Sequence, residues 1–263
     1  MRPDYKSWIP VNFIIIPLLS TIILFGILLY LCTGAVLSGT YLYWAAGICS
    51  ILCFLSGAVF IWSVLARRAF SYHGGRQLMK RIVEGIAAYV QIPAGGTCLD
   101  VGCGSGALTV ACAKKNPQAR LVGVDVWDWQ YGGSFSQALC KQNARAEGTD
   151  NIHFQQGDAR NLPFPDETFD VVVSNYVYHN IFGANKQDML KETLRVLKKG
   201  GTFVIHDLMS KHCYGDMEQF MEDLRRTGYE HVEIRHTADG LFMKRREAIL
   251  LQLSSSALLT GKK

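Results

Sequence analysis

The hydrophobic pattern divides the chain into two unlike parts. From Ser7 to Ala66 no residue is Asp, Glu, Lys or Arg. Val11–Leu31 and Leu42–Leu65 are continuous apolar runs, each reaching the roughly 20 residues a helix needs to cross a bilayer. Cys32–Tyr41 between them has small residues and no charge, which predicts a short turn. After Ala66 the pattern changes. Gln77–Val90 places Leu78, Ile82, Val83, Ile86 and Val90 at helical spacing and predicts a lead-in helix that packs on a sheet. Pro93-Ala94-Gly95-Gly96 then ends it. Beyond lie strands at Thr97–Val101, Arg120–Asp125, Ile152–Ala159, Thr202–Asp207, His231–His236 and Ser256–Gly261, and one more running up to Asn175. Helices are predicted at Ala107–Lys115, Ser136–Glu147, Asn185–Lys198, Gly215–Thr227 and Leu241–Leu253. Strands alternating with helices predict an α/β sheet.

The length of 263 residues suits one ordinary domain plus an extra segment. A paired apolar tract without an early cleavage-type site argues against a signal peptide. Arg2 and Lys6 precede the first run, and Arg67, Arg68, Arg76, Lys80 and Arg81 follow the second. Positive flanks face the cytoplasm, so the tract is expected to be a transmembrane helical hairpin with the remaining domain cytoplasmic. The expected division is residues 1–66 for the hairpin, 67–92 for a linker and the lead-in helix, and 93–263 for the folded domain. The formal net charge of +5 is modest and gathers partly at these flanks. It points to anionic lipid heads and not to nucleic acid, for which no basic-aromatic pattern is present. Eight cysteines are scattered without paired zinc spacing, as expected for reduced thiols. His206, Asp207, His212 and Cys213 have metal-binding side chains, but their spacing fits no closed zinc pattern, and no metal is expected.

The chemistry centres on Leu99–Ala107, where Gly102, Gly104 and Gly106 alternate between a strand and a helix. Such a turn lets a ligand lie against backbone, and the helix N-terminus adds free N–H groups. Gly102, Gly104 and Ala107 also satisfy the dinucleotide pattern G-x-G-x-x-G/A formally. Asp100, two places before the first glycine, suits a ligand that carries an ammonium and a sulfonium. Asp125 ends the second strand, where a carboxylate can accept both hydroxyls of a ribose. Cys103 is expected to be a spacer between glycines and not a nucleophile.

The run Asp100-Val101-Gly102-Cys103-Gly104-Ser105-Gly106 resembles the first motif, D/E-x-G-x-G-x-G, of the class I S-adenosylmethionine-dependent methyltransferases. Leu162-Pro163-Phe164-Pro165-Asp166-Glu167-Thr168-Phe169-Asp170 and Leu194–Ile205 resemble the UbiE-like, methyltransferase type 11 group. The likeness covers roughly residues 76–263; the apolar hairpin lies outside it. It implies a Rossmann-like seven-stranded sheet of order 3-2-1-4-5-7-6 and S-adenosylmethionine as cofactor. It implies a cofactor site at Asp100, Gly102, Cys103, Gly104, Gly106, Asp125, Val126, Asp158, Ala159 and Asn175. Asp158 is then the acceptor for the adenine amino group, with Ala159 alongside. Asn175–Asn180 falls beside the sulfonium and is expected to line the acceptor site. His179 is the first candidate for a general base, with a structural hydrogen-bonded histidine as its other reading, and Tyr178 is the further catalytic candidate beside it. His206-Asp207 is the alternative pair. Trp127, Trp129 and Tyr131, near Gly132-Gly133, either cover adenine and shape the acceptor pocket or pack a longer loop.

These readings converge on a membrane-anchored methyltransferase with a small acceptor, either apolar or lipid-like and met at the bilayer, or hydrophilic if the anchor only localises the enzyme. An NAD(P)-dependent oxidoreductase shares the glycine turn and Asp125. It leaves Gly157-Asp158 and Leu162–Asp170 unexplained, and no Tyr-x-x-x-Lys pair is present. A non-catalytic membrane scaffold that binds the cofactor is the third reading; the intact glycines, Asp125 and Asp158 stand against it.

Overall fold

The computed structural model describes residues 2–33, 38–128 and 135–263. The chain forms two units, one of Ser7–Gln77 and one built from Leu78–Lys263 together with residues 2–6.

The first unit is a pair of helices, α1 (Asn12–Cys32) and α2 (Gly39–Ala69). At 1.5 Å per residue they are about 31 and about 46 Å long, enough to cross a hydrocarbon layer. Their packing is the reverse of a soluble hairpin. Phe13, Ile16, Ile22, Ile23 and Phe25 of α1 and Ile51, Phe54 and Ile61 of α2 point outward. Some small polar groups lie between the helices. Thr21 Oγ1 and Ser56 Oγ both donate to the Pro17 carbonyl, at 2.8 and 2.9 Å, and Cys49 Sγ lies 3.1 Å from the Leu24 carbonyl. Bulky apolar side chains thus lie outside and several hydroxyls between the helices, while the buried Ser63 hydroxyl of α2 has no hydrogen-bond partner among the described residues.

Among the described residues of the second unit, seven strands form one sheet of order β3-β2-β1-β4-β5-β7-β6. They are β1 (Thr97–Val101), β2 (Arg120–Asp125), β3 (Ile152–Gln156), β4 (Phe169–Asn175), β5 (Leu197–Leu208), β6 (Glu230–His236) and β7 (Ser256–Lys262). All neighbours run parallel except β7, which is antiparallel to both β5 and β6. The order is the one the resemblance implied. The central strands are buried on both faces: Leu99, Val101, Val171, Val172, Val173, Phe203 and Ile205 are all shielded from solvent. The helices are α3 (Leu78–Ala88), α4 (Ala107–Lys115), α5 (Gln137–Ala146), α6 (Lys186–Arg195), α7 (Lys211–Tyr214), α8 (Met217–Arg226) and α9 (Arg245–Leu250).

Three boundaries differ from expectation. The helix expected over Asn185–Lys198 ends at Arg195, because Leu197 already pairs with Phe169 in the sheet. The helix expected over Leu241–Leu253 shrinks to α9. Phe242 and Met243 turn inward instead, and the Phe242 ring packs so closely on α3 that a Cβ at Gly85 would lie 2.5 Å from it. The third difference is at the N-terminus. Residues 2–6 were expected to belong with the apolar tract, yet they are built into the sheet unit. The Asp4 N–H donates to Asn143 Oδ1 at 2.7 Å, Asn143 Nδ2 donates back to the Asp4 carbonyl at 3.0 Å, and Tyr5 is fully buried. The chain thus leaves the sheet unit before α1 and returns to it after α2.

Candidate active site

The carboxyl ends of β1, β2, β4 and β5 carry the groups of interest. Between β1 and α4 the backbone makes a turn that needs glycine. Gly102 has φ +71° and Gly104 φ +57°, conformations that cost other residues steric strain. The three glycines serve different purposes. A Cβ at Gly102 would lie 2.3 Å from Val177, and one at Gly106 3.1 Å from Phe154. These two faces are filled by the protein's own side chains, contrary to the expectation of bare backbone. Gly104 differs, since in its Cβ direction the nearest atoms are on Phe135, at 3.8 Å.

Asp100 is buried and accepts from the Thr109 hydroxyl at 2.6 Å and from the Thr109 N–H. It therefore caps the start of α4. Burial raises its pKa to about 7, against the hydrogen bonds from Thr109. The sequence placed it toward the ligand's ammonium; the structure gives its carboxylate to the helix instead. Cys103 lies in an apolar cluster with Val110, Cys140, Ala144 and Phe154. Burial, with Cys140 beside it, pushes its thiol well above the ordinary value, so it is no nucleophile.

Asp125 is better placed for a ligand. Its Oδ2 accepts from the Gly104 N–H at 2.8 Å and its Oδ1 from the Trp127 N–H at 2.8 Å. Each oxygen keeps a further lone pair. Burial raises its pKa, opposed by N–H groups of Trp127, Gly104 and Val126. Trp127 packs the loop: its Nε1–H donates to the Gly104 carbonyl at 2.9 Å and its ring joins the Cys103 cluster. Trp129, Tyr131, Gly132 and Gly133 lie outside the described residues. Asp158 follows β3 and is half-exposed. Arg160 Nε donates to Oδ1 and Oδ2, at 3.0 and 2.9 Å, and its Nη2 donates to Oδ2 at 2.6 Å, which lowers the Asp158 pKa. Ala159 is buried in the main core.

The acceptor side differs from the sequence reading in three residues. Tyr178 is wholly buried, with its hydroxyl 2.8 Å from Thr193 Oγ1. The structure places it in the core and does not bring it to the site. Asn175 Oδ1 is taken by His206 Nδ1 at 2.8 Å. His206 Nε2 meets Thr237 Oγ1 at 2.8 Å, so both ring nitrogens are occupied. Burial pushes the His206 pKa down to about 3. It is a neutral structural histidine, and its sequence neighbour Asp207 serves another residue.

That residue is His179. Its Nδ1 is hydrogen-bonded to Asp207 Oδ1. Asp207 is fully buried and also accepts from the Tyr214 hydroxyl and the Tyr178 N–H, each at 2.8 Å, and from the Leu208 N–H at 2.7 Å. Burial opposes its charge, but the bonds from His179, Tyr214 and Leu208 overcome it and hold its pKa below the usual carboxylate value. An anion at Oδ1 puts the imidazole proton on Nδ1 and leaves Nε2 as an acceptor. The Tyr176 ring stands edge-on to His179 with centroids 5.9 Å apart. The sequence named His179 and Asp207 separately but did not pair them, and it missed Tyr214 altogether.

His206 and Asp100 also set an acid response. His206 is protonated near pH 6.5 when unfolded but only near 3 when folded. Its contribution is complete above pH 6.5 and is lost as pH falls toward 3, by about 2 kcal/mol at pH 5. Asp100 has the opposite sign. Its raised pKa adds stability as pH falls from about 7 toward the unfolded value, by about 2 kcal/mol at pH 5. The thermal midpoint is therefore expected to change little between pH 7 and pH 5. In His206→Gln it is expected to rise on acidification. Parallel midpoint curves for the two proteins would refute this assignment.

Residues 99–205 match the family model described as a methyltransferase domain. The chain is 34% identical over 113 residues to a demethylmenaquinone methyltransferase of Lactobacillus johnsonii, covering 43% of each. It is 35% identical over 144 residues to a U6 snRNA (guanine-N(2))-methyltransferase of Bos taurus, covering 54% of this chain and 27% of that one. The chain thus spans less than half the length of these curated relatives. The crystal structure of the cyclase SpnF matches with a TM-score of 0.53 at 21% identity, over 70% of this chain and 80% of that one, a likeness of fold. Residues 99–205 are accordingly an S-adenosylmethionine-dependent methyltransferase domain on the class I sheet, and S-adenosylmethionine is its cofactor. The residues fit it: the backbone at Gly104 is approached in its Cβ direction only by the Phe135 ring, at contact distance, and beside it the Asp125 carboxylate has acceptor capacity left for ligand hydroxyls.

Proposed function

We propose that the chain is a membrane-anchored methyltransferase whose acceptor is a small, apolar or lipid-like molecule with a proton to lose. The observation that carries this reading is the His179–Asp207 pair at the ends of β4 and β5, one strand from the glycine turn. S-adenosylmethionine supplies a methyl group already activated on a sulfonium. The protein's share is orientation and one proton. Asp125 holds the ribose hydroxyls. Asp158 takes the adenine amino group in company with Arg160. Bound S-adenosylmethionine would supply the methyl group with sulfur as leaving group, and His179 Nε2 would take the proton that the acceptor heteroatom gives up. Asp207 steadies the imidazolium that forms, and Tyr214 fixes Asp207.

The anchor reading is supported by the outward apolar side chains of α1 and α2 and by the return of the chain to the sheet unit on both sides of them. Two crossings bring both ends to one face, the cytoplasmic one by the charge of the flanks. The dinucleotide reading loses ground on topology. A strand order of 3-2-1-4-5-6 is usual for that fold, whereas here antiparallel β7 lies between β5 and β6. The test is incubation of the full chain with methyl-labelled S-adenosylmethionine and separate membrane and soluble extracts. Label is expected in the lipid fraction. Label confined to water-soluble products removes the lipid-like acceptor, and no label in either removes methyl transfer.

A further inference from the structure

Among the described residues of the sheet unit, four large apolar side chains are exposed: Phe182, Leu241, Ile249 and Leu250. Three of them sit on the connection between β6 and β7. The same connection exposes Lys244, Arg245 and Arg246. In α9, Arg245 is one turn from Ile249 and Arg246 one turn from Leu250, so charge and apolar bulk share a face. The opposite side is spent on the fold. Glu247 and Ala248 are buried, and Glu247 lies 3.4 Å from Arg81 of α3. Phe242 wedges between Gly85 and His206, with centroids to the latter 5.4 Å apart. The exposed face is thus held on a fixed support. The nearby acids are Asp239, 3.9 Å from Arg245, and Glu84 of α3, which shares a pocket with Leu241 and Lys244 and lies 3.8 Å from Lys80, so the face stays positive.

We propose that this face docks on an anionic bilayer surface. Lys244, Arg245 and Arg246 meet lipid phosphates and carboxylates, while Leu241, Ile249 and Leu250 enter the headgroup boundary. The chemistry selects this occupant. A nucleic acid would use the cations and leave three aliphatic side chains wet. A second copy meeting through the same face would set arginines against arginines. The assignment rests on reading α1 and α2 as spans, because a chain already tethered to the bilayer needs only a weak second contact. Each basic residue near an anionic surface contributes about fivefold, so the three together raise the ratio of docked to undocked chain roughly 100-fold over a face without them.

The test uses the full chain in nanodiscs at one chain per disc, comparing zwitterionic discs with discs rich in phosphatidylserine. Co-elution with the discs reports the anchor separately from docking. Amide exchange over residues 241–253 reports docking. Exchange there is expected to slow in anionic discs alone. In a Lys244→Glu, Arg245→Glu, Arg246→Glu variant, still co-eluting, it is expected to be equally fast in both. Equal exchange of the natural chain in the two lipids overturns the proposal. So does protection that persists in the variant, or that develops only at two chains per disc.

Discussion

His179→Asn is expected to lower the methyl-transfer rate by about 10²–10⁴-fold while leaving cofactor affinity and the thermal midpoint near their natural values. The choice of Asn follows from the geometry. Its amide nitrogen falls near the position of imidazole Nδ1, so the bond to Asp207 Oδ1 survives and the buried carboxylate keeps a donor. What disappears is Nε2. His179→Ala is a poorer probe, because it strips a partner from a buried charge and costs stability for that reason alone. Asp207→Asn is poorer still: the Tyr178 and Leu208 N–H groups, the Tyr214 hydroxyl and His179 all converge on Asp207. A rate within twofold of natural would return His179 to a structural role and move the proton elsewhere.

The pairing of His179 with Asp207 shows why part of the site was legible in the sequence and part was not. The glycine turn, the strand-end Asp125 and the alternation of strands and helices are local, and local pattern reports them. His179 lies in a short turn, Tyr178–Asn180, after β4, and Asp207 lies in β5, so no spacing links them. The tempting neighbour, His206, is adjacent to Asp207 in one strand, where successive side chains point to opposite faces. His206 therefore enters the layer with Asn175 and Thr237, and Asp207 the layer with His179 and Tyr214. Tyr178, adjacent to His179, turned the other way into the core. Asp100 misled for another reason. An acid at a strand end resembles a ligand group, but Thr109 two places inside α4 offers it a hydroxyl and an N–H that the sequence does not advertise. Residues 2–6 have no periodicity at all, and only the burial of Tyr5 and the two-way bond to Asn143 assign them to the sheet unit. Asn143 also donates to the Ser105 carbonyl at 2.9 Å, which ties that segment to the glycine turn.

Removing the Asp125 carboxylate is expected to weaken S-adenosylmethionine binding by about 100-fold in Asp125→Ala, since two hydrogen bonds to a charged acceptor are worth about 3 kcal/mol or more together. Loss of affinity alone does not prove a ribose contact. Asp125 also accepts from the Gly104 and Trp127 N–H groups, so its removal loosens the turn on which any ligand would lie. A cycle with a second ligand separates the two effects. The natural protein is expected to bind the 2′-deoxy analogue of S-adenosylhomocysteine about tenfold less tightly than S-adenosylhomocysteine itself, because a hydroxyl facing a carboxylate is lost. In Asp125→Ala that discrimination is expected to vanish, whatever the overall affinity. If the variant still tells the two ligands apart as the natural protein does, the ribose lies elsewhere and Asp125 is a fastener for the Gly104 turn.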